Sequence, residues 1–552
     1  MLRSLMQDDF PLSVAHIRRR MQDAFPDRRV STLGESGLTH ASYGDVAERI
    51  ERLGHVLRDL GVRSGDRVAT FAWNSQRHLE LYFAIPSSGA VLHTLNVRLA
   101  AEQLAYIVDD AQDTVVFVDD TLVAQLAPLA SSMPSVRTWV VMGDGPTHGL
   151  PGALRYEELL AAAPTSTVAW PDVDERAAAA LCYTSGTTGS PKGVLYSHRS
   201  IALHATSNLF VDGVAMSSRD RVLSVVPMFH VNAWGAPFAA PLCGAELVFP
   251  TRFLQAEHLA RLISDLRPTM MNGVPTIYAD LLRYADREHP DLTSLTNAIC
   301  GGSAVPRALT EGLQERHGVV VHQAWGMTET SPIVTVSRPP ADLAVGDAAY
   351  WDSRSAQGRV MPWCEVRLRH PERPAAGVTT TADEGEIEVR GPWVAADYFG
   401  RAHQPDPREW LATGDIGSFD RLGFLRITDR AKDVIKSGGE WISSVALENE
   451  LSAHPDVLEA AVIAVADERW GERPLACVVP GERRRPSPDE LRAFLAERVD
   501  RWVIPDAFVF VDEVPKTSTG KLDKKALRAG VAAGDIGPRR SVAAVTDPDR
   551  GR

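Results

Sequence analysis

Val46–Phe83 reads VAERIERLGHVLRDLGVRSGDRVATFAWNSQRHLELYF. Val46, Ile50, Leu53, Leu57 and Leu60 recur at spacings of three and four and stop at Gly61, the pattern of an amphipathic helix closed by glycine. The run Arg67–Trp73 is strand-like, Asn74 and Ser75 punctuate it, and Leu79, Tyr82 and Phe83 open a second helical face. Helix, strand and helix in succession build a parallel sheet, because strands that run the same way need a crossover between them.

The alternation continues outward through the strand-like runs Thr114–Val118, Thr138–Met142, Val222–Val226 and Glu246–Phe249, with helix-like Ala256–Leu266 among them. The expectation is an α/β protein with a large N-terminal domain of layered α/β sheets. Beyond Gly385 the runs shorten to Glu386–Val389 and Phe424–Thr428, separated by glycine turns, which suggests a β-rich segment. Asp429–Glu440, DRAKDVIKSGGE, is charged and ends near paired glycines, as a hinge or exposed loop would. After it come a helix at Val445–Leu451 and strands at Val457–Val465, Leu475–Val479 and Ala507–Val511. Ser487, Pro488 and Glu490 form a capping-box start for a helix running to about Val499. The reading is a large domain, a small α+β domain of ~100 residues after the charged segment, and a disordered tail at 534–552 rich in Pro, Gly, Asp and Arg.

At 552 residues the chain exceeds one hydrophobic core, and 44% hydrophobic with 23% charged residues is ordinary globular usage. Asp and Glu outnumber Lys and Arg by 71 to 58, a formal net charge of -13, which argues against nucleic acid as the main partner. Five scattered cysteines without a CxxC pair suit a reducing cytoplasm. Residues 1–10 show no secretory signal, and the most apolar stretch, Val225–Pro250, carries His230, Asn232, Glu246 and several prolines, so no transmembrane segment is read.

The chemistry concentrates at Tyr183–Gly193, YTSGTTGSPKG. A loop dense in Gly, Ser and Thr can curl N–H groups and hydroxyls around phosphate oxygens, and Lys192 adds a cation. It is not a Walker A loop, because Pro191 stands where that motif has a glycine before its lysine. Three further segments are Gln323–Ser331 (QAWGMTETS), Leu411–Ile416 (LATGDI) and Pro515–Lys521 (PKTSTGK). Together, and in this order, the four resemble the adenylate-forming superfamily of acyl-CoA synthetases, luciferases and peptide-synthetase adenylation domains. Pro227–Trp234 (PMFHVNAW) and Asp433–Ser444 (DVIKSGGEWISS) look most like bacterial medium- and long-chain fatty acyl-CoA synthetases.

The resemblance implies that Thr184, Ser185, Gly186, Thr187, Thr188, Gly189 and Lys192 close over the ATP phosphates. It also implies that Thr184 and Glu329 hold Mg²⁺, a hard cation suited to hydroxyl and carboxylate oxygens. Taken alone, Thr184 reads as a loop hydrogen-bonder and Glu329 as a surface carboxylate. Trp325 is implied to stack on adenine, with Gly302, Gln323 and Ala324 lining the base; the family more often has tyrosine at that position, so a ring face is kept and a hydroxyl lost. Thr328 would bond the α-phosphate, and Asp415 the ribose with Arg430 assisting. Lys521, between the loop residues Ser518–Gly520 and the lysines Lys524 and Lys525 read as a solvated face, resembles the adenylation lysine. The resemblance also implies a domain at 1–431 and a small mobile α+β lid domain at 432–533, with Lys432 the pivot of the lid, which would bring Lys436, Gly438, Gly439 and Trp441 towards the nucleotide and the thiol of CoA.

His230 is read either as a satisfied core histidine or as a side chain facing the reacting acyl group. Trp234 resembles a gate to a fatty-acyl tunnel, with Val231 beside it; the small residues Ala233, Gly235, Ala236, Ala239 and Ala240 would leave room for a chain, or serve helix packing. The implied reaction joins a medium- or long-chain fatty acid to CoA through an acyl-adenylate, with ATP consumed to AMP and pyrophosphate. Alternatives are a CoA ligase for another small or aryl carboxylic acid and, in a different class, a catalytically silent nucleotide-binding protein. By the same resemblance the enzyme is a homodimer.

Overall fold

The computed structural model describes residues 4–184, 190–370, 384–400, 409–438, 440–481, 484–517 and 521–536, with the backbone alone at Arg373–Ala376. Two compact units divide the chain. The larger holds the residues up to Thr413 with Gly417–Ile427, and the smaller holds Gly414–Ile416, Thr428–Thr517 and the chain from Lys521.

In the larger unit a seven-stranded sheet runs Leu154–Arg155, Thr138–Met142, Asp113–Asp119, Arg67–Phe71, Val91–Thr94, Ala178–Tyr183, Gly193–Ser197. Its neighbours are parallel except the last pair. A nine-stranded sheet runs Arg359–Val360, Ile333–Val336, Val321–Gly326, Asn297–Gly301, Met270–Gly273, Arg221–Ser224, Glu246–Phe249, Arg29–Gly34, Gly37–Ser42, parallel in its centre and antiparallel at both edges. Because successive strand side chains point to opposite faces, each central strand feeds two cores. Val68, Val115 and Phe117 face one core while Ala69, Phe71, Val116 and Val118 face another, and Val222 and Leu247 part from Leu223 and Val248 in the same way.

The shared core also takes the apolar faces of helices Val14–Asp23, Tyr43–Asp59, Gln76–Ser87, His198–Ser207 and Ala236–Cys243, which therefore lie between the sheets. Helices Ala256–Leu266, Pro275–Glu288 and Arg307–His317 cover the far face of the nine-stranded sheet. A third sheet, ordered Arg373–Ala376, Glu365–His370, Gly385–Arg390, Leu411–Phe419, Leu425–Arg430, forms the β-rich segment.

The smaller unit is α+β. Its sheet runs Glu440–Ile442, Ile435–Ser437, Gly471–Pro480, Val457–Asp467, with Ala507–Phe510 also paired to Gly471–Pro480. Ala460 and Val462 face a core that holds helices Ser444–Ser452 and Pro488–Ala496, and Ala461 and Ile463 face another that holds Lys524–Ala533.

The helix and strand of the opening stretch form at Tyr43–Asp59, capped by a reciprocal Ser42–Asp45 box, and at Arg67–Phe71. The capping box at Ser487 and Glu490 is complete, although its helix ends at Ala496. The strand read as Val222–Val226 stops at Ser224, because side chains take over the ladder: the Val225 N–H donates to Asn272 Oδ1 (3.0 Å) and Asn74 Nδ2 donates to the Val226 carbonyl (2.8 Å). Asp429–Glu440 is not simply a charged exposed loop, since it contains strand Ile435–Ser437 and Asp429 and Asp433 are buried. Gly534 closes the last helix and Ile536 packs beside it; the rest of the segment read as a disordered tail lies outside the described residues. Among the described residues no helix is long and apolar enough to cross a membrane.

Candidate active site

Four adjacent parallel strands of the nine-stranded sheet, Arg221–Ser224, Met270–Gly273, Asn297–Gly301 and Val321–Gly326, deliver the motif residues from their carboxyl ends. His230 and Trp234 follow the first, Gly302 the third and Thr328 and Glu329 the fourth. That edge of an open parallel sheet is where ligands bind, since the loops there converge.

The loop Tyr183–Gly193, read as a phosphate cradle, has a defined neck. The Thr184 N–H donates to the Lys192 carbonyl (2.9 Å) and the Lys192 N–H donates back to Thr184 Oγ1 (3.3 Å). Ser185, Gly186, Thr187, Thr188 and Gly189 lie outside the described residues. Two backbone bonds stitch the segment 395–399 across this neck, from the Ala395 N–H to the Glu329 carbonyl (2.7 Å) and from the Phe399 N–H to the Gly193 carbonyl (2.8 Å). Tyr398 is thereby held between two predicted site residues: Lys192 Nζ sits 4.9 Å from its ring centroid, and its hydroxyl donates to Glu329 Oε1 at 2.6 Å. Glu329 is 6% exposed, and among the described residues no lysine, arginine or histidine forms an ion pair with it. A buried carboxylate without a protein counter-charge is costly unless a cation is supplied. Oxygen donors of this kind fit a hard divalent ion.

Thr328 belongs to a single 3-10 turn, Thr328–Thr330, anchored by the Tyr196 hydroxyl on the Thr328 carbonyl (2.7 Å). Burial, with Cys182 and Glu329 nearby, raises the Tyr196 pKa well above the usual phenol, so it stays a donor. Gln323, inside strand Val321–Gly326, is buried, and among the described residues its Oε1 has no hydrogen-bond partner, an unspent acceptor. Trp325 is half-buried, packed against the cluster of Val334, Val366 and Leu368. Gly301 is where backbones close: a Cβ there would stand 2.5 Å from the Ala324 carbonyl oxygen and 3.4 Å from Trp234 Cη2. Trp234, Gly301 and Ala324 thus meet, while Gly302 turns away at φ 89.

Val231 to Trp234 form one turn of left-handed helix, with φ of 47, 51, 50 and 57. Such a turn costs roughly 1–2 kcal/mol per residue for L-amino acids and persists only where its surroundings over-determine it. His230 caps it, half-buried, its N–H donating to the Pro227 carbonyl (2.9 Å). Beside it lies a small cavity of about 10 Å³, lined by Tyr196, Ile201, His204, Asn232, Gly235, Phe238 and Ser331. His204 is buried, which lowers its pKa to about 3, and its Nε2 accepts from the Ile333 N–H (3.3 Å). The small residues Ala233, Ala236, Ala239 and Ala240 are all packed in the shared core.

The smaller unit carries its own set. Arg430 Nε pairs with Asp415 Oδ1 at 3.1 Å, and Asp415 is 5% exposed. Lys432 is solvent-facing; desolvation of its site and then Arg430 and Arg528 lower its pKa against the opposing Asp433. Lys436 and Trp441 are cross-strand partners, and Gly438 packs on the half-exposed Trp470, donating to its carbonyl (2.8 Å). Gly439 lies outside the described residues. Lys521 closes a second neck, with the Thr517 N–H donating to its carbonyl (2.7 Å) and its own N–H donating to Thr517 Oγ1 (3.2 Å); Ser518–Gly520 lie outside the described residues.

Lys524 corrects the reading of a solvated lysine run. It is 9% exposed, and its Nζ donates to Ser444 Oγ (2.6 Å) and pairs with Glu448 (2.8 Å), while Ser444 donates to Asp429 Oδ2 (2.6 Å). With Arg528 on Asp433 (2.6 Å), these bonds tie the hinge segment to the helix that starts three residues after Lys521. Sequence reasoning missed Tyr398, Tyr196 and Trp470. No spacing links Tyr398 to residues 206 positions away, so only the paired backbone bonds locate it.

Mixed α/β layers, a closed neck on a loop rich in Gly, Ser and Thr, a buried carboxylate with no basic partner among the described residues and a separate small unit bearing Lys521 suit a nucleotide-dependent enzyme. The chain belongs to the AMP-binding enzyme family, which matches residues 19–399, and the AMP-binding enzyme C-terminal domain matches residues 446–521. It is 43% identical to a long-chain-fatty-acid–CoA ligase of Thermus thermophilus over 90% of this chain and 92% of that one. It is 42% identical to a 3-methylmercaptopropionyl-CoA ligase of Ruegeria pomeroyi, also over 90% and 92%. The solved anthranilate CoA ligase AuaEII in complex with anthranoyl-AMP superposes with a TM-score of 0.86 at 26% identity, covering 96% of this chain and 100% of that one.

Proposed function

We propose that this chain is an AMP-forming acid–CoA ligase for a medium- or long-chain fatty acid. Family membership supports the reaction class, and the observation that carries the site is the buried Glu329, hydrogen-bonded by Tyr398 and, among the described residues, in no ion pair with a basic side chain. In the first half-reaction a carboxylate oxygen attacks the α-phosphorus of ATP and pyrophosphate leaves. Two anions must meet, so cations lower the barrier most. Lys192 and Lys521 supply fixed positive charge, and Thr328 orients the α-phosphate from its short turn. Thr184 and Glu329 would hold Mg²⁺, which when bound neutralises phosphate oxygens.

Trp325 offers a ring face to adenine, the free Gln323 Oε1 an acceptor for its amine, and Asp415 with Arg430 holds the ribose hydroxyls. The base is further lined by Gly302 and Ala324. Residues 1–431 act as the adenylation domain and 432–533 as a lid that pivots at Lys432. The bonds Lys524–Ser444 and Arg528–Asp433 support this, because they join the helix after Lys521 to the chain beyond Lys432, so that the Lys521 segment moves with it as one piece. After the swing, Lys436, Gly438, Gly439 and Trp441 face the thiol tunnel, and the CoA sulfur attacks the acyl carbon and expels AMP. Trp234, with Val231, closes the acyl end, and His230 faces the reacting group.

Relatives 43% and 42% identical are ligases for a long-chain fatty acid and for the 3-methylmercaptopropionyl group, and the structural neighbour at 26% identity is an anthranilate ligase, so a short or aryl acid is the second reading. The test is acid-dependent exchange of labelled pyrophosphate into ATP, then CoA-dependent AMP release, across a panel from short to long alkyl and aryl acids. Exchange with none of them leaves a silent nucleotide-binding protein. Five free cysteines support a cytoplasmic setting, and light scattering reads the homodimer that the resemblance implies.

A further inference from the structure

The left-handed turn at 231–234 does not hold itself. Three asparagines from separate elements grip the chain between Ser224 and Trp234. Asn74 accepts from the Met228 N–H (2.6 Å) and donates to the Ser224 and Val226 carbonyls (2.9 and 2.8 Å). Asn272 accepts from the Val225 N–H (3.0 Å) and donates from Nδ2 to the Ala233 carbonyl (3.3 Å), so one carboxamide joins the strand exit to the turn. Asn208 Nδ2 reaches the Trp234 carbonyl (3.4 Å), and the Tyr82 hydroxyl bonds the Met228 carbonyl. The turn ends at Gly235, φ 77, where a Cβ would stand 2.7 Å from His204 Nδ1. All three asparagines are buried.

Carboxamides suit this task because each presents a donor and an acceptor that backbone groups of an irregular loop cannot find in a ladder. Two of these bonds, from Asn272 and Asn208, end on carbonyls inside the strained turn itself. We propose that Asn272 and Asn208 are positioning residues for the acid site: they hold the left-handed turn and so set where the Trp234 ring rests against Gly301 and Ala324. This rests on the reading of Trp234 as the closure of the acyl end. Weakening the clamp lets Val231–Trp234 relax to ordinary right-handed or extended backbone, which moves the ring and widens the range of acids accepted without touching the nucleotide site.

The experiment compares wild type with Asn272→Asp, Asn272→Ala, Asn208→Ala, Trp234→Ala and the double variant Asn272→Ala/Ala233→Gly. KM for acid and for ATP, and the chain-length profile, are measured for each; Asn272→Asp keeps the acceptor for Val225 and serves where the alanine variant folds poorly. KM for acid should rise roughly tenfold, about the effect of one buried hydrogen bond, while KM for ATP stays within about twofold. Ala233→Gly should restore most of the loss, because glycine takes φ near +50 without the Cβ penalty. Backbone hydrogen exchange at 230–235 should quicken in the single variants and slow again in the double.

Unchanged acid KM and exchange, equal rises in both KM values, or no rescue by Ala233→Gly would overturn the clamp. An unchanged acid profile in Trp234→Ala would overturn the link through that ring. Wild-type protein inert towards every acid sinks the ligase reading instead, and hydrogen exchange then still decides the clamp.

Discussion

Replacing Tyr398 by phenylalanine isolates one hydrogen bond at the centre of the candidate site. The ring beneath Lys192 Nζ, 4.9 Å from its centroid, is kept, so the cation–π contact of about 0.5–1 kcal/mol persists. What disappears is the 2.6 Å donor to Glu329 Oε1. A hydrogen bond to a charged group contributes about 1.5–3 kcal/mol, which corresponds to a change of roughly tenfold to a hundredfold. Glu329 is buried, so water replaces the lost donor poorly and its carboxylate is no longer oriented. The half-saturating Mg²⁺ concentration for pyrophosphate exchange should therefore rise by that factor, with little change in Tm. Mg²⁺ dependence and exchange rate both within twofold of wild type would refute the reasoning, since Tyr398 would then be a packing ring only.

Lys521→Ala should lower adenylation by orders of magnitude while keeping much of thioester formation from supplied acyl-adenylate, and equal loss in both half-reactions would contradict two active-site arrangements. Burial lowers the pKa of His78 and His198 to about 4 and of His204 to about 3, so unfolding takes up protons between about 6.5 and those values. Their stability contribution is whole above pH 6.5 and is lost as pH falls through the folded values; Tm should drop on acidification from pH 7.5 to 4.5, less steeply in His204→Gln. Gly301→Ala forces a Cβ to within 2.5 Å of the Ala324 carbonyl, a backbone contact that cannot rotate away. It should lower stability by about 1–3 kcal/mol in urea titration and raise KM for acid, and a neutral result would mean the two strands part freely.

Local periodicity made the layered α/β class readable. Val46 to Leu60 must bury one stripe wherever the helix lies, and a run such as Val115–Val118 must be covered on both faces. The cap at Ser487 was readable for the same reason, being a bond between residues three apart, whereas the Ser42–Asp45 box emerged only in the structure. The motif loops were legible as a family pattern, and their emergence from adjacent strand ends follows from the parallel order.

What the chain alone did not reveal depends on distant segments meeting. Lys524 looked like half of a solvated pair until Ser444 and Glu448, 80 and 76 positions earlier, surrounded it. Tyr398 acquired a role only because two backbone bonds carry it between Lys192 and Glu329. The handedness of Val231–Trp234 is invisible in those residues, none of them glycine, and was decided by asparagines 74, 208 and 272 in other elements. Sequence determines what depends on neighbours a turn away; tertiary structure decides conformations that local propensity disfavours, because only contacts from remote parts of the chain can offset their cost.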